Sequence, residues 1–145
     1  MRTRMIVAVF AFVTLLRAAA APVVAEEPHH GAHDATSQRS FADVEKWRKV
    51  FDDPARDAWQ KPAALVDALQ LQPGMTVAEI GAGTGYLLRY LAAAVGAEGT
   101  VLLADVEPSL IAHLRARAEE EGAANVVPVL ASKDNPRLPA RAWRA

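Results

Sequence analysis

The feature that most constrains the fold is an apolar run, Thr76-Val77-Ala78-Glu79-Ile80, that passes directly into Gly81-Ala82-Gly83-Thr84-Gly85. Glycines at alternate positions neither extend a strand nor start a helix well. They make a tight turn whose bare backbone a ligand can approach closely. Beyond the turn, Leu87, Leu88, Leu91, Ala94 and Val95 recur at helical spacing until Gly96 to Gly99. Thr100-Val101-Leu102-Leu103-Ala104 reads as a second strand, ending at Asp105. Pro108 to Glu121 reads as a second helix, with Leu110, Ile111, Leu114 and Ala118 inward and Gly122 as its stop. Val126 to Leu130 is a third strand, and Pro128, which has no N–H to donate, puts it at a sheet edge. Strand, helix, strand, helix, strand with short connections is a βαβαβ unit, hence an α/β fold with a parallel sheet.

Residues 41–74 read as a helical lead-in to this unit. Ser40 is the expected N-cap, with Asp43 in the first turn, and Phe41, Val44, Trp47, Val50 and Phe51 recur at three- and four-residue spacing. Asp53-Pro54 and Lys61-Pro62 each restart a helical segment, the latter with Leu65, Val66 and Leu69 as its buried stripe. Gln72-Pro73-Gly74 is a turn.

The N-terminus is of another character. Arg2 and Arg4 precede the apolar run Met5 to Leu16, which at 12 residues falls short of the roughly 20 that a spanning helix needs. Small residues follow, Ala18 to Ala21 and then Val23-Val24-Ala25 before Glu26-Glu27. Residues 1–25 therefore read as a signal peptide, cleaved after Ala25 or, second, after Ala21; the alternative is an uncleaved anchor. This predicts an exported, periplasmic protein with no stable membrane anchor once the leader is cut. Losing Arg2, Arg4 and Arg17 takes the chain from 16 basic against 17 acidic residues to 13 against 17, a net of −4. Residues 26–40 read as a polar tether; His29, His30, His33 and Asp34 could chelate a transition metal, but they are read as incidental and no metal site is expected. Residues 140–145 are a tail.

Composition excludes several functions. With no cysteine there is no disulfide scaffold, thiolate zinc site, iron–sulfur site or thiol nucleophile. A net charge near zero, without a basic run, argues against nucleic acid or an anionic membrane as partner.

Spacing narrows what the glycine turn can hold. A dinucleotide fingerprint, G-x-G-x-x-G, would need glycine at 86, where the chain has Tyr86. Glu79, two residues before the first glycine, would repel a pyrophosphate and suits a ligand carrying positive charge. Glu79-Ile80-Gly81-Ala82-Gly83-Thr84-Gly85 resembles motif I, E/D-x-G-x-G-x-G, of class I S-adenosylmethionine-dependent methyltransferases. Asp105, 20 residues after Gly85 at the end of the second strand, stands where this family keeps an acid for the ribose hydroxyls. The segment from Val50 to Pro62 is similar to the lead-in of a bacterial, often exported, methyltransferase group. Together the likeness spans residues 41–139.

The resemblance implies S-adenosylmethionine as cofactor, cradled at its methionine part by the backbone of Gly81, Ala82, Gly83, Thr84 and Gly85. Glu79 is expected near the amino-acid moiety, Asp105 at the ribose and Val106 against the adenine. The acid at the adenine edge has no clean match: Ser132 stands where many relatives have Asp, with Asp134 two residues on. Trp59 and Tyr86 are expected in apolar packing, the alternative being that they line the site, and His113 on a solvated helix face; no catalytic base is assigned. The resemblance further implies a Rossmann-like, seven-stranded sheet of order 3-2-1-4-5-7-6, of which residues 75–139 supply the N-terminal half. The sequence is accordingly expected to be a truncated copy, its first strand an open apolar edge left for a partner to complete. The expected activity is methyl transfer to an unidentified acceptor, the alternative a non-catalytic exported nucleotide-binding or interaction module.

Overall fold

A computed structural model describes residues Met5–Ala8 and 40–139, and all of these but Ser40 fall within one compact unit. Four parallel strands make a single sheet in the order β1-β2-β3-β4: β1 is Met5–Ala8, β2 Thr76–Ile80, β3 Thr100–Asp105 and β4 Val126–Leu130. Helix α4 (Leu88–Val95) connects β2 to β3, and α5 (Pro108–Glu120) connects β3 to β4. The lead-in comprises α1 (Val44–Phe51), a 3-10 turn (Pro54–Arg56), α2 (Asp57–Gln60) and α3 (Pro62–Ala68). The expected βαβαβ unit is present, its strand and helix boundaries within about one residue of the expected ones.

The core lies on one face of the sheet. Val77, Val101, Leu103 and Val126 meet Leu88, Leu91 and Val95 of α4, Ile111, Leu114 and Ala118 of α5, and Val66 of α3. The opposite face carries a smaller cluster of Ala78, Leu102 and Ala104 with Ala131 and Leu138. Pro128 pairs with Leu103 in the outermost strand, β4, which needs no donor on its open side.

The open edge expected beside the first strand of the unit is occupied. β1 runs parallel to β2 in the register Met5–Thr76 to Ala8–Glu79. A bare edge offers a row of unpaired N–H and C=O groups, and the backbone of β1 pairs with it. The rest of the expected leader, its cleavage sites, the histidine tether and the tail lie outside the described residues. Among the described residues no helix is long and apolar enough to cross a membrane.

The lead-in departs from expectation at its start. Asp43, not Ser40, caps α1, its carboxylate accepting from the Lys46 N–H at 3.1 Å. No residue of α1 is buried. Its aromatic face forms a separate stack, with ring centroids 4.6 Å apart for Phe41–Trp47 and 5.2 Å for Trp47–Phe51. At Asp53 the expectation holds: the side chain accepts from Ala55 N–H at 2.8 Å and Pro54 begins the turn. Lys61, at φ 47°, separates α2 from α3.

Two glycines of the turn should respond differently to substitution. A Cβ on Gly85 would stand 2.7 Å from the Leu114 side chain at φ +84°, whereas one on Gly81, at φ +76°, would meet nothing within 4 Å. Gly81→Ala should therefore cost only left-handed strain, about 1–2 kcal/mol. Gly85→Ala adds overpacking, for a total of about 2–5 kcal/mol. Urea unfolding of the two variants checks the order, and equal losses would contradict it.

Candidate functional site

The glycine turn is fastened to the carboxyl end of β3. Ala104 C=O accepts the N–H groups of Gly81 (2.8 Å) and Ala82 (3.1 Å). Asp105 Oδ2 accepts the Gly83 N–H at 2.9 Å, and its Oδ1 accepts the N–H of Glu107 at 3.0 Å. One carboxylate thus holds the turn and shapes the start of α5. The acid's position at a strand end is what brings it within reach of the turn.

Above this junction lies a cavity of about 510 Å³. Gly81, Gly83, Asp105 and Val106 line it, with Ser132 and Asp134 across from them and Phe41 and Phe51 on the lead-in side. Val106 is half exposed and offers an apolar side chain to whatever enters. Ser132 Oγ donates to Asp134 Oδ1 at 2.7 Å, and this hydrogen bond holds the Asp134 carboxyl below the usual carboxylate range. Ser132 and Asn135 also exchange backbone hydrogen bonds, 2.8 and 3.2 Å, which close the segment into a small loop.

Other residues expected at the site stand apart from the cavity. Ala82, Thr84 and Gly85 are buried and do not line it. Thr84 turns inward, its hydroxyl donating to Asp52 Oδ1 at 2.6 Å. Glu79 is 7% exposed, and its Oε2 has no hydrogen-bond partner. Burial, with the charge of Asp105 adding to it, pushes its carboxyl up to about 8. Trp59 is not packed away as expected: it is 62% exposed, with the Arg56 guanidinium 5.7 Å from its ring. Tyr86 packs against the core, its ring 4.3 Å from Arg56, and its hydroxyl donates to Asp57. His113, expected in solvent, has its Nε2 buried without a hydrogen-bond partner. A helix face read from α5 alone does not reveal that.

Sequence reasoning missed Phe41 and Phe51, which it assigned to an ordinary amphipathic helix. No signal in the sequence marks them: helical spacing shows that a face is apolar, and only the fold brings Phe51 to within ordinary contact distance, 3.8 Å, of a Cβ at Gly83.

A parallel sheet feeding a glycine turn, with that turn pinned to an acid at the end of the next strand, is the cofactor-binding half of a class I S-adenosylmethionine-dependent methyltransferase. Residues 52–134 match the family model of protein-L-isoaspartate(D-aspartate) O-methyltransferases, and the chain belongs to that family. It is similar to the protein-L-isoaspartate O-methyltransferase of Methanococcoides burtonii, 32% identical over 91 residues, which cover 63% of this chain and 45% of the relative. A crystal structure of a SAM-dependent methyltransferase from Aquifex aeolicus superimposes with a TM-score of 0.61 at 27% identity, covering 70% of this chain and 52% of that one. The chain spans about half the length of these relatives.

The residues present fit such a cofactor. Gly81 and Gly83 leave a cradle open to the cavity, and Asp105 retains acceptor capacity beside it. Glu79 is a buried acid with an oxygen still unpaired.

Glu79 makes folding pH-dependent in a defined sense. Its carboxyl binds a proton more tightly in the folded chain, at about 8, than at its ordinary value of 4.5. That contribution is fully present below about pH 4.5 and is lost as pH rises towards 8. Glu79→Gln, which cannot ionise, should be more stable than wild type at pH 8, with the difference shrinking towards pH 5. Thermal melts across that range read the effect; parallel curves would contradict it.

Proposed function

We propose that this chain binds S-adenosylmethionine in the cavity above Gly81, Gly83 and Asp105 and serves as the cofactor half of a methyltransferase. The observation that carries the reading is the Asp105 carboxylate, which pins the turn through Gly83 while facing the cavity. The bound cofactor would supply an activated methyl on a sulfonium. The Gly81–Gly83 backbone would hold its amino-acid part, Asp105 its ribose and Val106 its adenine, with Ser132 and Asp134 at the adenine edge. Binding by this chain would then fix the donor and leave the acceptor to be brought in line with the methyl.

Family membership suggests a carboxylate of an altered aspartyl residue as acceptor. That chemistry is undemanding of the protein, because a carboxylate is already ionised near pH 7 and needs no general base.

Calorimetric titration of the full chain with S-adenosylmethionine tests the binding. Saturable binding, weakened at least about tenfold in Asp105→Ala, is expected from the loss of charge-assisted hydrogen bonds. A folded chain that takes up no cofactor would overturn the reading. Transfer of labelled methyl to an isoaspartyl peptide then tests the acceptor. Binding without transfer supports the alternative, a nucleotide-binding module.

We also infer export to the periplasm, supported by Arg2, Arg4, the apolar run from Met5 and the small residues before Glu26. The prediction is a secreted product whose N-terminal sequence starts at Glu26, or at Pro22 for the second cleavage site. A cytoplasmic product that starts at Met1 would contradict it. Cleavage would also remove β1 and reopen the edge of β2 to a strand from a partner.

A further inference from the structure

Helix α1 walls one side of the cofactor cavity, yet none of its residues is buried. Val44, Trp47 and Phe51 are only partly buried, so apolar packing holds it incompletely. A polar network also ties its end to the rest of the unit. Asp52, the C-cap of α1, accepts the Thr84 hydroxyl on Oδ1 at 2.6 Å and the Arg117 guanidinium on Oδ2 at 3.0 Å. The same Arg117 Nη1 donates to the Thr84 C=O at 2.8 Å, while its Nε donates to Glu121 at 2.7 Å. Arg48 adds a looser approach to Asp52, 3.9 Å.

The network spans three elements: the end of α1, the glycine turn and α5. Thr84 is 1% exposed, and the Asp52 and Arg117 side chains are only about a fifth exposed, so the charge pair is partly shielded from solvent. Phe51, next to Asp52, lies against Gly83 and lines the cavity, with Trp47 and Phe41 stacked on it. Whatever moves Asp52 moves this aromatic wall relative to the turn.

We propose that Asp52, Thr84 and Arg117 form a latch that holds α1 over the cofactor cavity, so that they are positioning residues for cofactor affinity. This rests on the cavity being the cofactor site. None of the three needs to touch the cofactor: Thr84, the one taken from motif I as a backbone contact, has its side chain committed to the latch.

The test uses the full chain with S-adenosylhomocysteine as probe, in wild type, Thr84→Val, Arg117→Met and Arg117→Lys, with exposed Lys49→Ala as control. Calorimetry is paired with amide hydrogen exchange of the free protein. Thr84→Val and Arg117→Met should weaken binding by about tenfold, and Arg117→Lys should recover part of it by restoring the charge. Amides of α1 should exchange faster in the weakened variants while those of β2, β3 and β4 keep their protection, which a general loss of stability would not produce.

Affinities and α1 exchange equal to wild type would overturn the latch. So would loss of protection across β2–β4 together with α1, since the network would then hold the whole unit. If wild type itself binds no S-adenosylhomocysteine, the cofactor reading fails, and α1 exchange alone decides whether the latch exists.

Discussion

The cofactor end of the molecule depends on the hydrogen bond from the Gly83 N–H to the Asp105 carboxylate. A glycine turn free of its neighbours would sample many backbone states, because glycine has the most freedom to lose on folding. The carboxylate and the Ala104 carbonyl together fix three consecutive N–H groups, those of Gly81, Ala82 and Gly83. The parallel register of β2 with β3, in which Ile80 faces Ala104, delivers the turn and the acid to the same sheet edge. Sheet topology, turn conformation and cavity are therefore one arrangement.

Charge is distributed around that arrangement with an apparent contradiction. Two acids, Glu79 and Asp105, lie near each other with little solvent. Asp105 meets the difficulty by accepting two backbone N–H groups. Glu79 meets it by holding its proton well above the ordinary carboxylate range. A positive charge brought close by would favour the ionised form of Glu79 and change that balance.

Much of this was legible in the sequence, for physical reasons. Helical and strand periodicities in 75–139 are strong and the glycines punctuate them, so the βαβαβ unit could be read directly. Pro128 announced its edge strand through its missing donor. Residues whose roles depend on distant partners could not be read. The orientation of Thr84 is decided by Asp52, 32 residues away, and that of Asp52 by Arg117, 65 residues away. The aromatic face of α1 looked like a core stripe because spacing reveals that a face is apolar but not what it meets. Met5–Ala8 carried a leader pattern that spoke of targeting and said nothing of the sheet edge it can pair with.

The most direct measurement is a two-dimensional amide NMR titration of the full chain with S-adenosylhomocysteine. The account predicts the largest shift changes at Gly81, Gly83, Asp105 and Val106, with a second group at Ser132 and Asp134 and a third near Phe51. Changes centred instead on the cleft between α4 and the end of α5, around Gly96, Gly122 and Asn125, would contradict it, as would a spectrum that does not respond.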